Sequence, residues 1–177
     1  MLKDYKNHVE ERLQQGIPPL PLNAEQVSEL VDLLKSPPKG EEDYILDLIT
    51  NRTPAGVDPA AYVKAGFLTA IAKDETSSPL IDKKHATNLL GTMLGGYNVE
   101  SLIGLLEDEE VGEIAAEGLS KTLLMFNAKH DVIELAKKNT NAKKVVDSWS
   151  DAEWFKSRPK LPEVIKAIVF RVEGEIN

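Results

Sequence analysis

The 177 residues carry 29 acidic against 21 basic side chains, a formal net charge of -8, and no cysteine. That balance excludes a disulfide framework, a thiolate zinc site, a cysteine nucleophile and an iron–sulfur cluster held by this segment alone, and its acidic field repels polyanions. Apolar residues at 42% and charged residues at 28% are those of a globular chain, one domain or one plus the beginning of another, able to bury about two thirds of its unfolded surface.

Helical periodicity begins at once. Leu2, Tyr5, Val9 and Leu13 fall at steps of three and four, one narrow stripe that Gly16 and Pro18 stop. This charged, amphipathic start has no basic region followed by an apolar run, so no secretory signal is expected. No window approaches the roughly 18 consecutive apolar residues of a membrane span, and a cytoplasmic protein is expected.

Asn23 caps a second helix, with Gln26 placed for a capping box and Val27, Leu30, Val31 and Leu34 as its inner stripe; Pro37, Pro38 and Gly40 end it. A third helix starts at the acidic triplet Glu41, Glu42 and Asp43, which compensates the helix dipole and does not form a metal site, because adjacent helical residues point in different directions. Tyr44, Ile45, Leu48 and Ile49 face inward. Asp58 followed by Pro59 opens the next helix, whose apolar residues Tyr62, Val63, Ala65, Phe67, Leu68, Ala70 and Ile71 cover more than one face, as in a helix sandwiched between neighbours.

Ser78, Pro79 and Asp82 introduce a helix with the stripe Ala86, Leu89, Leu90, Met93 and Leu94, ending at Gly95 and Gly96. Asn98 caps a short helix bearing Val99, Leu102, Ile103, Leu105 and Leu106. The acidic turn Asp108, Glu109, Glu110 leads into a long helix with the stripe Val111, Ile114, Ala115, Leu119, Leu123 and Phe126. Gly118 lies on that face, where glycine costs about 1 kcal/mol against alanine, and its retention predicts the close approach of another backbone. Two shorter helices follow, one from Asp131 with Glu134 as capping partner, the other carrying Val145, Val146 and Trp149.

Helix starts near residues 23, 58 and 98 recur at roughly 35–40 residues, the spacing of HEAT-type or armadillo-type repeats. The expected fold class is all-α, a superhelix of stacked helix pairs, over residues 1–158. Residues 159–177 read as a linker and one terminal β-strand, Val164–Val172, the start of a second domain: β-branched residues dominate, Pro159 and Pro162 mark the boundary, and a single strand needs neighbours.

Chemistry is sparse. His8, His85 and His130 lack the i, i+4 spacing of a helical metal pair. No phosphate-cradling glycine motif is present, and Gly56 and Gly66 read as turn and packing residues. The carboxylates read as solvated charges. The lysines at 137, 138, 143 and 144, the densest basic run, are interleaved with Asn and Ala and read as a solvated helix face, which weighs against RNA binding. Two aromatic groups stand out, Tyr97 beside the Gly95–Gly96 turn, and Trp149, Trp154 and Phe155 near the boundary, the latter expected to pack against a neighbouring domain.

Four strings carry a resemblance: NRTPAGVDPAAYVKAGFLTAIA from Asn51, LLGTMLGGYN from Leu89, LSKTLLMF from Leu119 and SWSDAEWFKSRP from Ser148. Together they closely resemble the N-terminal region of the bacterial aconitase B family, along the whole of Met1 to Asn177. The resemblance implies a full protein that interconverts citrate and isocitrate through cis-aconitate, hydrates 2-methyl-cis-aconitate, and holds a [4Fe–4S] cluster on three cysteines, one iron being open to substrate.

With no cysteine here, no cluster ligand and no catalytic residue can be carried onto this chain, which alone is expected to be inactive. The resemblance further implies a HEAT-like domain followed by an α/β swivelling domain, with roles in protein contacts, dimerisation and walling the passage to the active site. Gly95, Gly96, Tyr97, Asn98, Trp149, Trp154 and Phe155 are the candidate inter-domain or passage-wall contacts. The partners implied are the remaining aconitase domains, a second copy, and citrate or isocitrate in the full enzyme. The alternative from another class is a free-standing helical-repeat adaptor.

Overall fold

A computed structural model describes residues 1–122, Met125 and residues 128–151. Nine α-helices follow one another there: α1 Leu2–Gln14, α2 Ala24–Lys35, α3 Glu42–Asn51, α4 Pro59–Ala72, α5 Lys83–Gly91, α6 Val99–Leu105, α7 Gly112–Ser120, α8 Ala128–Leu135 and α9 Thr140–Asp151. The all-helical class expected from periodicity is the one found. The expected terminal strand, Trp154, Phe155, and the continuation of the α7 stripe to Leu123 and Phe126 lie outside the described residues.

Local chemistry sets the helix starts. Asn23 and Gln26 form the reciprocal capping box, at 2.9 and 3.0 Å. Asp58 accepts from the Ala60 N–H at 2.8 Å with Pro59 in the first turn, and Asp82 accepts from the His85 N–H at 2.7 Å. Each carboxylate or amide satisfies a backbone donor that the helix leaves orphaned, typically worth about 1 kcal/mol. Of the triplet at the start of α3, Glu41 pairs with Lys6 at 2.6 Å and makes no side-chain capping bond, Glu42 accepts from the Gly40 N–H at 2.7 Å, and Glu42 and Asp43 lie in the first turn.

The helices stack in one direction. α2 packs on α3 and α4, α4 on α5, α5 on α7 and α7 on α9, while α6 packs chiefly on α7 and α8 on α9. Each element therefore buries its apolar face only against near neighbours, as in solenoid repeats. Leu30, Leu48, Leu68, Leu90, Leu102 and Leu119 belong to one continuous core. α1 is tethered at its start, where the buried Tyr5 hydroxyl donates to the Leu20 carbonyl at 2.7 Å.

Several placements differ from the periodicity reading. Leu13 is exposed, because α1 is covered only over its first half. Leu94 lies past the end of α5, in a left-handed conformation, and so leaves the α5 stripe. Tyr62 projects outward from α4. Asp131 is inside α8, not at its start, and Glu134 pairs with Lys137 at 2.6 Å; the cap observed in this region is Asn139, which accepts from the Ala142 N–H at 2.8 Å ahead of α9. Gly66 is exposed on α4, and among the described residues nothing lies within 4 Å of a Cβ built on it, so it does not act there as a packing residue.

Candidate functional site

The chain between α5 and α6 makes an unusual turn. Leu94, Gly95 and Gly96 follow one another at φ values of +65°, +116° and +80°. The two glycines adopt such angles freely, but at Leu94 the Cβ meets the following carbonyl, a strain of about 1–2 kcal/mol. Nevertheless this leucine is 69% exposed. A neighbouring turn, before α4, locks onto this one: the Gly56 N–H donates to the Met93 carbonyl at 3.2 Å, and a Cβ on Gly96 would stand 2.7 Å from the Gly56 oxygen. Two turns from successive helix pairs thus form one ridge.

Apolar side chains crown that ridge. Val57 is 75% exposed, Tyr62 64% and Tyr97 40%. The rings of Tyr62 and Tyr97 meet edge to face, 5.0 Å apart at 73°, the arrangement that the aromatic quadrupole favours. Beside them a cleft of 380 Å³ opens between α4 and α6, with Glu75 and Glu100 on its rim.

Asn98 lies beneath the ridge and is fully buried. Although it occupies the cap position of α6, its side chain makes no capping bond. Instead its Nδ2 donates to the Leu90 carbonyl at 2.7 Å, closing the end of α5, and its Oδ1 is buried with no hydrogen-bond partner among the described residues. Of the four ridge residues singled out by sequence, Gly96 and Tyr97 reach the surface, whereas Gly95 and Asn98 are buried and support them. Trp149 stands apart on α9, half-buried and packed against the core.

Three further features were not read from the sequence. Tyr62 is the first. The second is Lys64, 3% exposed on α4, whose Nζ lies 3.4 Å from the Thr50 carbonyl in the last turn of α3; burial pushes its pKa down to about 8. The signal was available, since a helix apolar all round must bury whatever else it carries. The third is Lys83, which bridges Asp74 at 2.8 Å and Asp108 at 2.9 Å. Hydrogen bonding from Lys83 holds the Asp108 carboxyl below its usual value. His8 serves the fold, its Nε2 accepting from the Leu20 N–H at 3.0 Å. Among the described residues no three His, Asp or Glu side chains converge as metal ligands, and no helix is long and apolar enough to cross a membrane.

The surface so assembled is an apolar and aromatic ridge flanked by carboxylates, suited to contact. The model of the aconitate B N-terminal domain matches residues 4–155. The chain belongs to the aconitase B N-terminal domain family. It is 61% identical to aconitate hydratase B of Pseudomonas aeruginosa over 178 aligned residues, which cover 100% of this chain and 20% of that protein. The corresponding figures for aconitate hydratase B of Escherichia coli are 57%, 100% and 21%, and for that of Helicobacter pylori 44%, 99% and 21%. The chain therefore spans about a fifth of the length of these aconitase B relatives. Having no cysteine, it does not fit an iron–sulfur cluster.

Proposed function

We propose that this chain is the non-catalytic interaction and gating domain of a cytoplasmic aconitate hydratase that interconverts citrate and isocitrate, with the 2-methylisocitrate reaction alongside. The observation that carries this reading is the family match along nearly all of a chain that holds no cysteine. The cluster and its Lewis-acid chemistry then reside in the remaining four fifths of the enzyme. Stacked helices supply a rigid scaffold, and the ridge of Gly96 and Tyr97, supported by Gly95 and Asn98, together with the aromatic residues from Trp149 to Phe155, contacts the other domains and borders the passage to the active site. Self-association through a helical face is a separate property of the same scaffold.

The test replaces Tyr97 by Ala in the full-length enzyme. A changed KM or kcat for citrate, with cluster content intact, is expected; kinetics identical to the parent would remove the ridge from the passage. Sedimentation of the chain itself tests self-association, against which a monomer independent of loading concentration would count. The alternative of a free-standing adaptor predicts a folded product of this length in cells with no longer aconitase chain carrying it.

A further inference from the structure

The cleft between α4 and α6 has a chemistry of its own. Its walls are α4 and α6, the exposed rings of Tyr62 and Tyr97 line it, and its rim carries Glu75 and Glu100. Among the described residues no Lys, Arg or His lines it, and neither glutamate forms an ion pair. The floor is open at Gly66, where a Cβ would meet nothing within 4 Å among the described residues, although a mid-helix glycine costs about 1 kcal/mol against alanine. The Thr69 hydroxyl donates to the Ser101 hydroxyl at 2.7 Å and ties the two walls together. At 380 Å³ the cleft falls within the range of about 300–1,000 Å³ typical of sites that bury a compact group.

We infer that this cleft is a docking site for an arginine side chain of a partner polypeptide, lodged against the Tyr62–Tyr97 ring pair, with Glu75 and Glu100 supplying the complementary charge. Charge complementarity selects the occupant. Aromatic faces attract cations through the ring quadrupole, and two unpaired carboxylates reject anions. A planar guanidinium stacks on a ring face while its N–H groups hydrogen-bond to a carboxylate, a combination that the compact ammonium of lysine does not offer. The inference rests on the ridge being an interaction face and adds the identity of the group it receives.

The test titrates the 177-residue chain with a Gly-Ser peptide bearing one arginine, and separately with the same peptide bearing citrulline, following backbone amide shifts. Saturable shifts at residues 62, 97, 100 and 101 are expected with arginine alone, at a dissociation constant on the order of 1 mM. Binding should weaken roughly five- to tenfold in the double variant Glu75→Gln, Glu100→Gln. Since both glutamates are exposed, unchanged shifts elsewhere will show that the variant is folded. Three results would overturn the inference: an equal response to citrulline, undiminished binding by the double variant, or no saturable shift. Shifts at these residues that depend on protein concentration without peptide would also overturn it, assigning the cleft to a second copy. Because the readout is peptide binding, it is independent of the kinetic test of the ridge.

Discussion

Gly91 and Gly118 bring α5 and α7 together backbone to backbone. A Cβ built on Gly118 would stand 2.8 Å from the Gly91 Cα, and one on Gly91 would stand 3.0 Å from the Gly118 Cα. Neither neighbour is a flexible side-chain end, so the helices must separate to admit a methyl group. Gly118→Ala is expected to destabilise the chain by about 1–3 kcal/mol, overriding the gain in helix propensity. At Gly66, where a Cβ meets nothing, the same change is expected to stabilise by about 0.5–1 kcal/mol. Urea midpoints of the two variants should move in opposite directions; movement in the same direction would refute the close-approach account.

Lys64 makes stability depend on alkaline pH. Its pKa is about 8 in the folded chain against 10.5 unfolded. At pH 7 it is protonated in both states, and the folded state bears the cost of the buried charge. Between these two values the unfolded chain binds more protons, so stability rises with pH across that window. Lys64→Met is expected to stabilise the chain at pH 7 by of the order of 2–3 kcal/mol, with the advantage shrinking from pH 8 towards 10.5. A constant difference across this range would show that the ammonium is not desolvated.

Lys83 joins the turn after α4 to the turn before α7 through Asp74 and Asp108. Asp108 in addition accepts from the Glu110 and Val111 N–H groups at 2.9 and 3.0 Å. Its folded-state pKa lies below 3.8, chiefly because Lys83 hydrogen-bonds to the carboxylate. The resulting stabilisation is complete above 3.8 and is lost as pH falls through the folded-state value. Lys83→Met should therefore lower Tm at neutral pH, and the gap to the parent should narrow in acid. Parallel Tm curves down to pH 2 would contradict this.

Asn98 and Tyr97 are adjacent but should respond differently. Asn98→Asp replaces a buried donor to the Leu90 carbonyl with a group that is either charged or misdirected, and a loss of about 3 kcal/mol or more is expected. Tyr97→Ala removes one edge-to-face ring pair from the surface, worth about 0.5–1.5 kcal/mol. Equal urea midpoints for the two variants would mean that the amide does not close the end of α5.

Helix identity and most helix starts were legible in the sequence because both are local. An Asn, an Asp or an Asp-Pro pair answers donors only two or three residues away, as at Asn23, Asp58 and Asp82, and apolar spacing states which face a helix needs covered. The close approach at Gly118 was legible too, since a glycine on a buried helical face has few other physical reasons to be there. The four strings that carry the family resemblance likewise belong to the linear chain.

Only the tertiary structure decided what covers each face. Leu94 leaves the α5 stripe because the chain turns left-handed there to meet Gly56; Tyr62 faces outward while Lys64, two residues on, points into the core; and the Asn98 amide turns from its own helix to the end of α5. Periodicity along one helix says nothing of the neighbours that another stretch of chain supplies. Burial, the depressed pKa of Lys64 and the cleft between α4 and α6 are all properties of such pairs of elements, distant in sequence and brought together by packing.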